Sequence, residues 1–173
     1  MSLARDLLAQ AQMLATREPK KPRQASLRRA ISSAYYALFQ LLVDAASRQL
    51  VSGLDNTRLR HRVARSFRHN EMKNTCKDVA QWRANNPPKR FAGLLDAQPT
   101  AEWVRVAEAF VELQQARHNA DYNVETKFSR DDVVTLIRTA DRAFEAFDAL
   151  DKTGAERRIF LAALAFSERW QKN

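Results

Sequence analysis

The sequence predicts an all-α fold, an up-and-down bundle of five to six helices. Three glycines and five prolines among 173 residues leave few positions for the tight turns of β-hairpins. Apolar residues recur instead at the three- and four-residue spacing of helices, in stretches separated by proline, glycine or asparagine. The length fits one domain, so residues 1–173 are predicted to form a single helical domain, with residues 151–173 as an extra C-terminal helix.

Local signals begin and end the predicted helices. Prolines separate the first helix from the second, whose apolar stripe is wide enough for the central helix of a bundle. Thr100 is a good N-cap, and Ser129 with Asp132 resembles a capping box. The predicted helices cover residues 2–16, 24–50, 57–84, a segment that begins after Thr100, residues 130–150 and a last segment that opens at Thr153–Glu156.

The net charge of +9 is concentrated in two blocks. Residues 17–29 hold six lysines and arginines against one acid, and residues 56–90 hold ten against two. Such clustering favours a polyanionic partner, although a solvated basic face that binds nothing is the alternative. The predicted nucleic-acid contacts lie in the second block and are Arg58, Arg60, Arg62, Arg65, Arg68 and His69.

Several classes of protein are disfavoured. No apolar run approaches the roughly 20 residues that cross a bilayer, and the N-terminal segment lacks the apolar core of a signal peptide, which predicts a cytoplasmic protein without a membrane partner. The single cysteine, Cys76, cannot form an internal disulfide and is a poor zinc ligand. Phosphate-binding glycine loops and the His-Glu-x-x-His pattern are absent from the sequence, so neither a metal nor a cofactor is predicted.

A pair of charges ends the apolar face of the helix that begins after Thr100. The apolar residues of that face are Trp103, Val106, Phe110 and Leu113. The next members of the same series are Arg117 and Asp121. Burying an arginine and an aspartate is costly unless they pair or serve a ligand, so this position is either an internal strut or a site.

Two segments together resemble the HEPN superfamily of small helical proteins. They are residues 29–39, Arg-Ala-Ile-Ser-Ser-Ala-Tyr-Tyr-Ala-Leu-Phe, on the central helix, and residues 117–122, Arg-His-Asn-Ala-Asp-Tyr. The subgroup with an AYYALF central helix and an R-x-x-ADY segment is the most similar, over residues 3–150. The resemblance implies a helical bundle that forms a homodimer, works on or near RNA, and belongs with bacterial toxin–antitoxin or defence-type modules.

The resemblance also implies the site. Active members of the superfamily are metal-independent endoribonucleases in which a histidine shuttles protons and an arginine neutralises the scissile phosphate. Arg117 matches that arginine, and Tyr122 occupies the place of the histidine. Phenols ionise near pH 10 and imidazoles near pH 6.5, so a tyrosine is a poor shuttle at neutral pH. A binding module with a degenerate motif is therefore expected, with Arg117, His118, Asp121 and Tyr122 as candidate site residues.

Two other functions stay open from the sequence. One is a metal-independent endoribonuclease with its histidine elsewhere, because Arg62 and His69 would lie on one face of a continuous helix. The other is a non-catalytic structural partner of a nucleotidyltransferase-type protein. In that case the pair of Arg117 and Asp121 would only fix helix packing.

Overall fold

The computed structural model describes residues 2–83, 86–95 and 97–170, and these residues are all-α, as predicted. Within them lie seven α-helices, two short 3-10 turns at Leu54–Asn56 and Lys89–Phe91, and no strand. No helix in these ranges is both long and apolar enough to span a membrane. The helices are α1 (Leu3–Thr16), α2 (Gln24–Leu50), α3 (Thr57–Ala64), α4 (His69–Ala80), α5 (Ala101–Tyr122), α6 (Arg130–Ala149) and α7 (Ala155–Trp170).

The described residues hold more helices than the five to six predicted, because the segment over residues 57–84 is broken. Arg68, directly before α4, has an extended backbone with φ −113° and ψ 129°. Helix α3 buries none of its residues, whereas α4 buries four, Met72, Thr75, Cys76 and Val79. The break separates an exposed basic helix from a core helix. Arg62 and His69 therefore lie on different helices, and the predicted shared face is absent.

Capping residues act as predicted at two helix starts. The Trp103 amide donates to Thr100 Oγ1 over 3.4 Å at the start of α5. At α6, the Ser129 amide donates to Asp132 Oδ2 (2.9 Å) and the Asp132 amide to Ser129 Oγ (3.1 Å). The Ser129 hydroxyl also donates to Asp132 Oδ2 (2.7 Å), and this bond, with that from the Ser129 amide, holds the pKa of Asp132 below its usual value. Helix α7 begins at Ala155, within the predicted start, and the carboxylate of Glu156 in its first turn accepts from the hydroxyl of Thr100 (2.9 Å).

The chain divides into two compact units. The first consists of Met1–Leu41 with Ala109–Glu145, and the second of Leu42–Glu108 with Ala146–Asn173. The predicted single domain over residues 1–173 stays a prediction.

In the first unit the helical segments alternate in direction. The guanidinium of Arg5, near the start of α1, lies 5.8 Å from the ring centre of Phe144, near the end of α6. Arg130, at the start of α6, donates to the carbonyl oxygen of Pro19, which follows α1 (2.9 Å). Arg28, near the start of α2, likewise binds the end of α5. Both pairs of segments are thus antiparallel, and the α1–α2 and α5–α6 loops share one end of the unit.

In the second unit an aromatic cluster forms the core. Trp82 stacks on Phe91 with ring centres 5.3 Å apart, and Phe91 meets Trp103 edge-on at 5.6 Å. Trp103 also lies 5.1 Å from Phe160 of α7. All four rings are buried, and such aromatic contacts stabilise a core beyond the apolar area that they bury.

Candidate functional site

The first unit contains an open cleft of about 440 Å³ between the start of α2 and the end of α5. Both charges predicted at the end of the apolar face, Arg117 and Asp121, line it. The four apolar residues of that face are fully buried, so its predicted orientation is confirmed. The complete lining is Ala25, Arg28, Arg29, Ser32, Tyr36, Arg117, Ala120 and Asp121.

Arg117 is held in place by Asp121 and Tyr36, and Asp121 is held by Ser32. Its Nε lies 2.6 Å from Asp121 Oδ2, and its Nη2 donates to the hydroxyl of Tyr36 over 3.2 Å. Asp121 Oδ1 in turn accepts from the hydroxyl of Ser32 (2.6 Å). The Arg117 and Asp121 side chains are 19% and 28% exposed. The pair therefore links α5 to α2 through Tyr36 and Ser32, and it also lines the cleft.

The charge of Arg117 is stable in this setting. Burial lowers the pKa of Arg117, but Tyr36 and Asp121 raise it, and the net shift is upward. The guanidinium carbon also lies 5.6 Å from the ring centre of Tyr36 and 5.5 Å from that of Tyr122. Aromatic rings at this distance favour the cation. The cleft consequently presents a permanent positive charge at a fixed position.

Tyr122 and His118 lie at the rim of this arrangement. Tyr122 is 65% exposed and reaches Arg117 through its ring. His118 is exposed, and its ring centre lies 5.1 Å from that of Tyr122. Neither residue belongs to the lining of the cleft. The structure thus brings Arg117, Asp121 and Tyr122 together, and it adds His118 only through Tyr122.

Sequence reasoning missed the half of the cleft that α2 contributes. Arg29, Ser32 and Tyr36 follow each other at three- and four-residue spacing and so share one helical face. Arg29 is exposed and makes no hydrogen bond or ion pair with any described residue. The signal that could have found them is this polar interruption of an otherwise apolar helix.

Arg28, the neighbour of Arg29, has a different role. Its guanidinium lies 5.5 Å from the ring centre of Phe128. It also donates to four backbone carbonyl oxygens at the end of α5 and in the α5–α6 loop, those of Ala120 (2.7 Å), Asn123 (3.0 Å), Val124 (3.2 Å) and Thr126 (2.5 Å). Arg28 therefore fixes the C-terminal end of α5, which carries Asp121 and Tyr122.

The predicted nucleic-acid contacts lie in the second unit, and three of them form a clear face. Arg58, Arg62 and Arg65 are exposed, are spaced four and three residues apart, and make no ion pair with a described acid. Arg60 is half-buried and donates to the carbonyl oxygen of Gly53 (2.7 Å). The three exposed arginines are the part of the block best suited to phosphates.

The last two predicted contacts follow α3. Arg68 is exposed and lies 3.5 Å from Glu71, and His69 is half-buried as the first residue of α4.

Arg90 shows that not all positive charge in the second block is available to a partner. It is 3% exposed, and its Nε lies 2.6 Å from Asp78 Oδ2. Its Nη1 donates to the hydroxyl of Thr75 over 2.6 Å. Arg90 is thus an internal strut of the second unit.

The chemistry that the first cleft can supply is anion binding. Three arginines and one aspartate line it, and the hydroxyl-bearing residues Ser32 and Tyr36 complete the polar lining. In the described part of the chain no group of three or more potential ligands could hold a metal ion. No protein-family model matches the chain, and neither a curated protein nor a solved structure matches it significantly.

Proposed function

We propose that the protein is an RNA- or nucleotide-associated binding module with a HEPN-like helical domain. The proposal rests on one observation: the pair of Arg117 and Asp121 lines an open cleft instead of being sealed among apolar side chains. Arg29 brings a second guanidinium that has no partner among the described residues. A strut alone would need neither the opening nor this second charge.

The cleft suits a phosphate group. Planar guanidinium groups bind phosphate oxygens with paired hydrogen bonds, and those of Arg29 and Arg117 line the same cleft. The carboxylate of Asp121 would repel a phosphate, but its two oxygens already bind Arg117 and Ser32. The remaining charge of the cleft is positive.

Helix α3 offers a second contact with nucleic acid. None of its residues is buried, so a role in the core does not explain its sequence. Its face of Arg58, Arg62 and Arg65 presents three positive charges to solvent. Each phosphate that such a face neutralises releases condensed counterions, which makes binding strongly dependent on salt.

The family resemblance adds further expectations to this proposal. They are a homodimer, a cytoplasmic location, a toxin–antitoxin or defence setting, and a nucleotidyltransferase-type partner protein. The endoribonuclease alternative is less well supported than binding, since the lining of the cleft includes no histidine.

Fluorescence polarisation with labelled single-stranded and structured RNA at several salt concentrations tests the proposal. Arg29→Glu should weaken binding by about tenfold, which corresponds to about 1.4 kcal/mol. The control is Arg142→Glu, which makes the same charge change at an exposed position of α6 in the same unit. Equal effects of the two variants, or no RNA binding by the wild type at low salt, would refute the proposal.

The α3 face is tested in the same assay. Replacing Arg58, Arg62 and Arg65 together by glutamate changes the charge by six units and should abolish measurable binding and flatten the salt dependence. The matched control reverses three exposed arginines on other helices, Arg105, Arg138 and Arg142. An unchanged affinity in the α3 variant would remove this helix from the proposed interface.

Cleavage assays separate binding from catalysis. Wild-type protein should leave RNA intact in the presence of a chelator. Cleavage that is lost in His118→Ala or His69→Ala, with folding and binding retained, would instead establish the endoribonuclease alternative.

A further inference from the structure

A second cleft, of about 400 Å³, adjoins the first in the same unit. The two share three lining residues, Arg29, Ser32 and Tyr36, and so lie side by side along α2. We call the two neighbouring clefts the two ends of one groove. The charged end lies between α2 and α5, and the other end lies between α1 and α2. The residues found only at the second end are Leu3, Leu7, Gln10, Ser33 and Gln40.

We infer that the second end is a nucleobase subsite, which holds the base of the nucleotide whose phosphate occupies the charged end. This inference rests on the proposed function. It adds a binding site for the base, since the cleft of Arg117 would hold only the phosphate. A base needs an apolar or aromatic surface for its ring faces and hydrogen-bonding groups for its edge. The second end supplies both.

The apolar surface comes from α1 and from Tyr36. Leu3 is 60% exposed although it stands in the first turn of α1, and Leu7 is half-buried beside it in the lining. Tyr36 lines both clefts, and its hydroxyl accepts from Arg117. A base packed against Tyr36 would thus be adjacent to a phosphate at Arg117.

The hydrogen-bonding groups are two amides. Gln10 Oε1 accepts from the hydroxyl of Ser33 over 3.1 Å, which orients this amide. Gln10 Nε2 has no partner among the described residues, and neither has the side chain of Gln40. A side-chain amide both donates and accepts, as the edges of bases do. Gln10 and Gln40 are therefore the residues assigned to base recognition.

The composition of this end disfavours a protein partner. Its lining holds two leucines against two amides, three hydroxyls and an arginine, counting the shared residues. A helix or a second copy of the chain docking there would need a wider apolar surface than two leucines provide. Groove volumes of this size fall in the range of about 300–1,000 Å³ that holds small-molecule ligands.

The test compares oligonucleotides that differ only in their bases. Binding of tetra-adenylate, tetra-uridylate, tetra-cytidylate and tetra-guanylate is measured by polarisation against an abasic tetramer with the same phosphates. At least one of the four should bind wild type about tenfold more tightly than the abasic tetramer, within the range for one stacked base. Leu3→Ala should reduce that ratio about fivefold without changing abasic binding. Gln10→Ala should change which base is preferred.

Matched controls lie on the same helix. Met13→Ala removes an apolar side chain that is 59% exposed, against 60% for Leu3, but lies outside the groove. Gln12→Ala removes an exposed amide that also lies outside it. Circular dichroism and light scattering are recorded for every variant. Both controls should leave the base ratio at the wild-type value.

The results distinguish this inference from the proposed function. Equal binding of abasic and base-bearing tetramers, or unchanged ratios in Leu3→Ala and Gln10→Ala, would overturn the subsite and leave RNA binding intact. A changed molar mass of Leu3→Ala with an unchanged ratio would assign the groove to contact between copies and also overturn it. Absence of all oligonucleotide binding by the wild type would refute both proposals.

Discussion

Replacing Arg28 by alanine should destabilise the protein far more than the same change at its neighbour Arg29. Both are arginines near the start of α2, and both line the same cleft. Arg28 donates to four carbonyl oxygens around the end of α5, whereas Arg29 has no partner among the described residues. The two variants therefore remove equal charge and unequal numbers of hydrogen bonds.

The magnitude follows from the exposure of those bonds. The bonds to the carbonyl oxygens of Ala120 and Thr126 are partly buried, and those to Asn123 and Val124 are exposed. With about 1 kcal/mol for each partly buried bond and a few tenths for each exposed one, the hydrogen bonds contribute about 2.5 kcal/mol. The contact with the Phe128 ring adds about 0.5 kcal/mol. The total of about 3 kcal/mol corresponds to a Tm lower by roughly 6–12 °C for a chain of this length.

Urea unfolding followed by circular dichroism measures this effect. Arg29→Ala should change the free energy of unfolding by less than about 0.5 kcal/mol, as is usual for exposed positions. Arg28→Lys keeps the charge but cannot span four carbonyl oxygens with one ammonium group, so it should recover only a small part of the loss. Equal unfolding midpoints for Arg28→Ala and Arg29→Ala would refute the role assigned to Arg28.

Two further predictions concern Arg117 and Cys76. Arg117→Ala should lower the free energy of unfolding by about 1–2 kcal/mol, between the values for exposed and buried ion pairs. The reason is that the Arg117 side chain, which pairs with Asp121, is about four-fifths buried. A loss above about 3 kcal/mol would indicate that the pair only fixes helix packing. Cys76 is the only cysteine, and burial raises the pKa of its thiol. Because the thiol pKa is higher in the folded state than in the unfolded one, its contribution to stability is complete at pH values below the ordinary thiol pKa of about 8.5. That contribution decreases as the pH rises above this value. The native thiol should therefore resist alkylation at alkaline pH until denaturant is added, and rapid reaction of the native protein would contradict its burial.

Helix ends were predictable from the sequence where the signal is local. Thr100 and the pair of Ser129 and Asp132 act through hydrogen bonds to amides within three residues, so neighbouring residues are enough to predict them. The break before α4 was not predictable in this way. No proline or glycine stands there. The extended backbone of Arg68 directly precedes α4, whose residue Met72 and its neighbours are buried in the second unit. Tertiary packing overrides local helix propensity at that point.

The candidate site also has one half that was predictable from the sequence and one half that was not. The α5 half was predicted because Arg117 and Asp121 interrupt a regular apolar series. The α2 half was not, since pairing Ser32 and Tyr36 with that end of α5 requires knowing that the two helices run antiparallel. The apolar periodicity of one helix does not show which part of another helix lies against it.

Counting charges has a related weakness. Arg28 and Arg29 stand side by side in one basic block, yet a rotation of about 100° between adjacent helical positions directs one at loop carbonyls and the other at solvent. Arg90 and Arg130 likewise use their guanidinium groups on other protein atoms. Positive charge is most available to a phosphate where its hydrogen-bond donors have no protein partner. That criterion, and not the net charge of +9, makes Arg29 and the face of α3 the first positions to mutate in a search for the ligand.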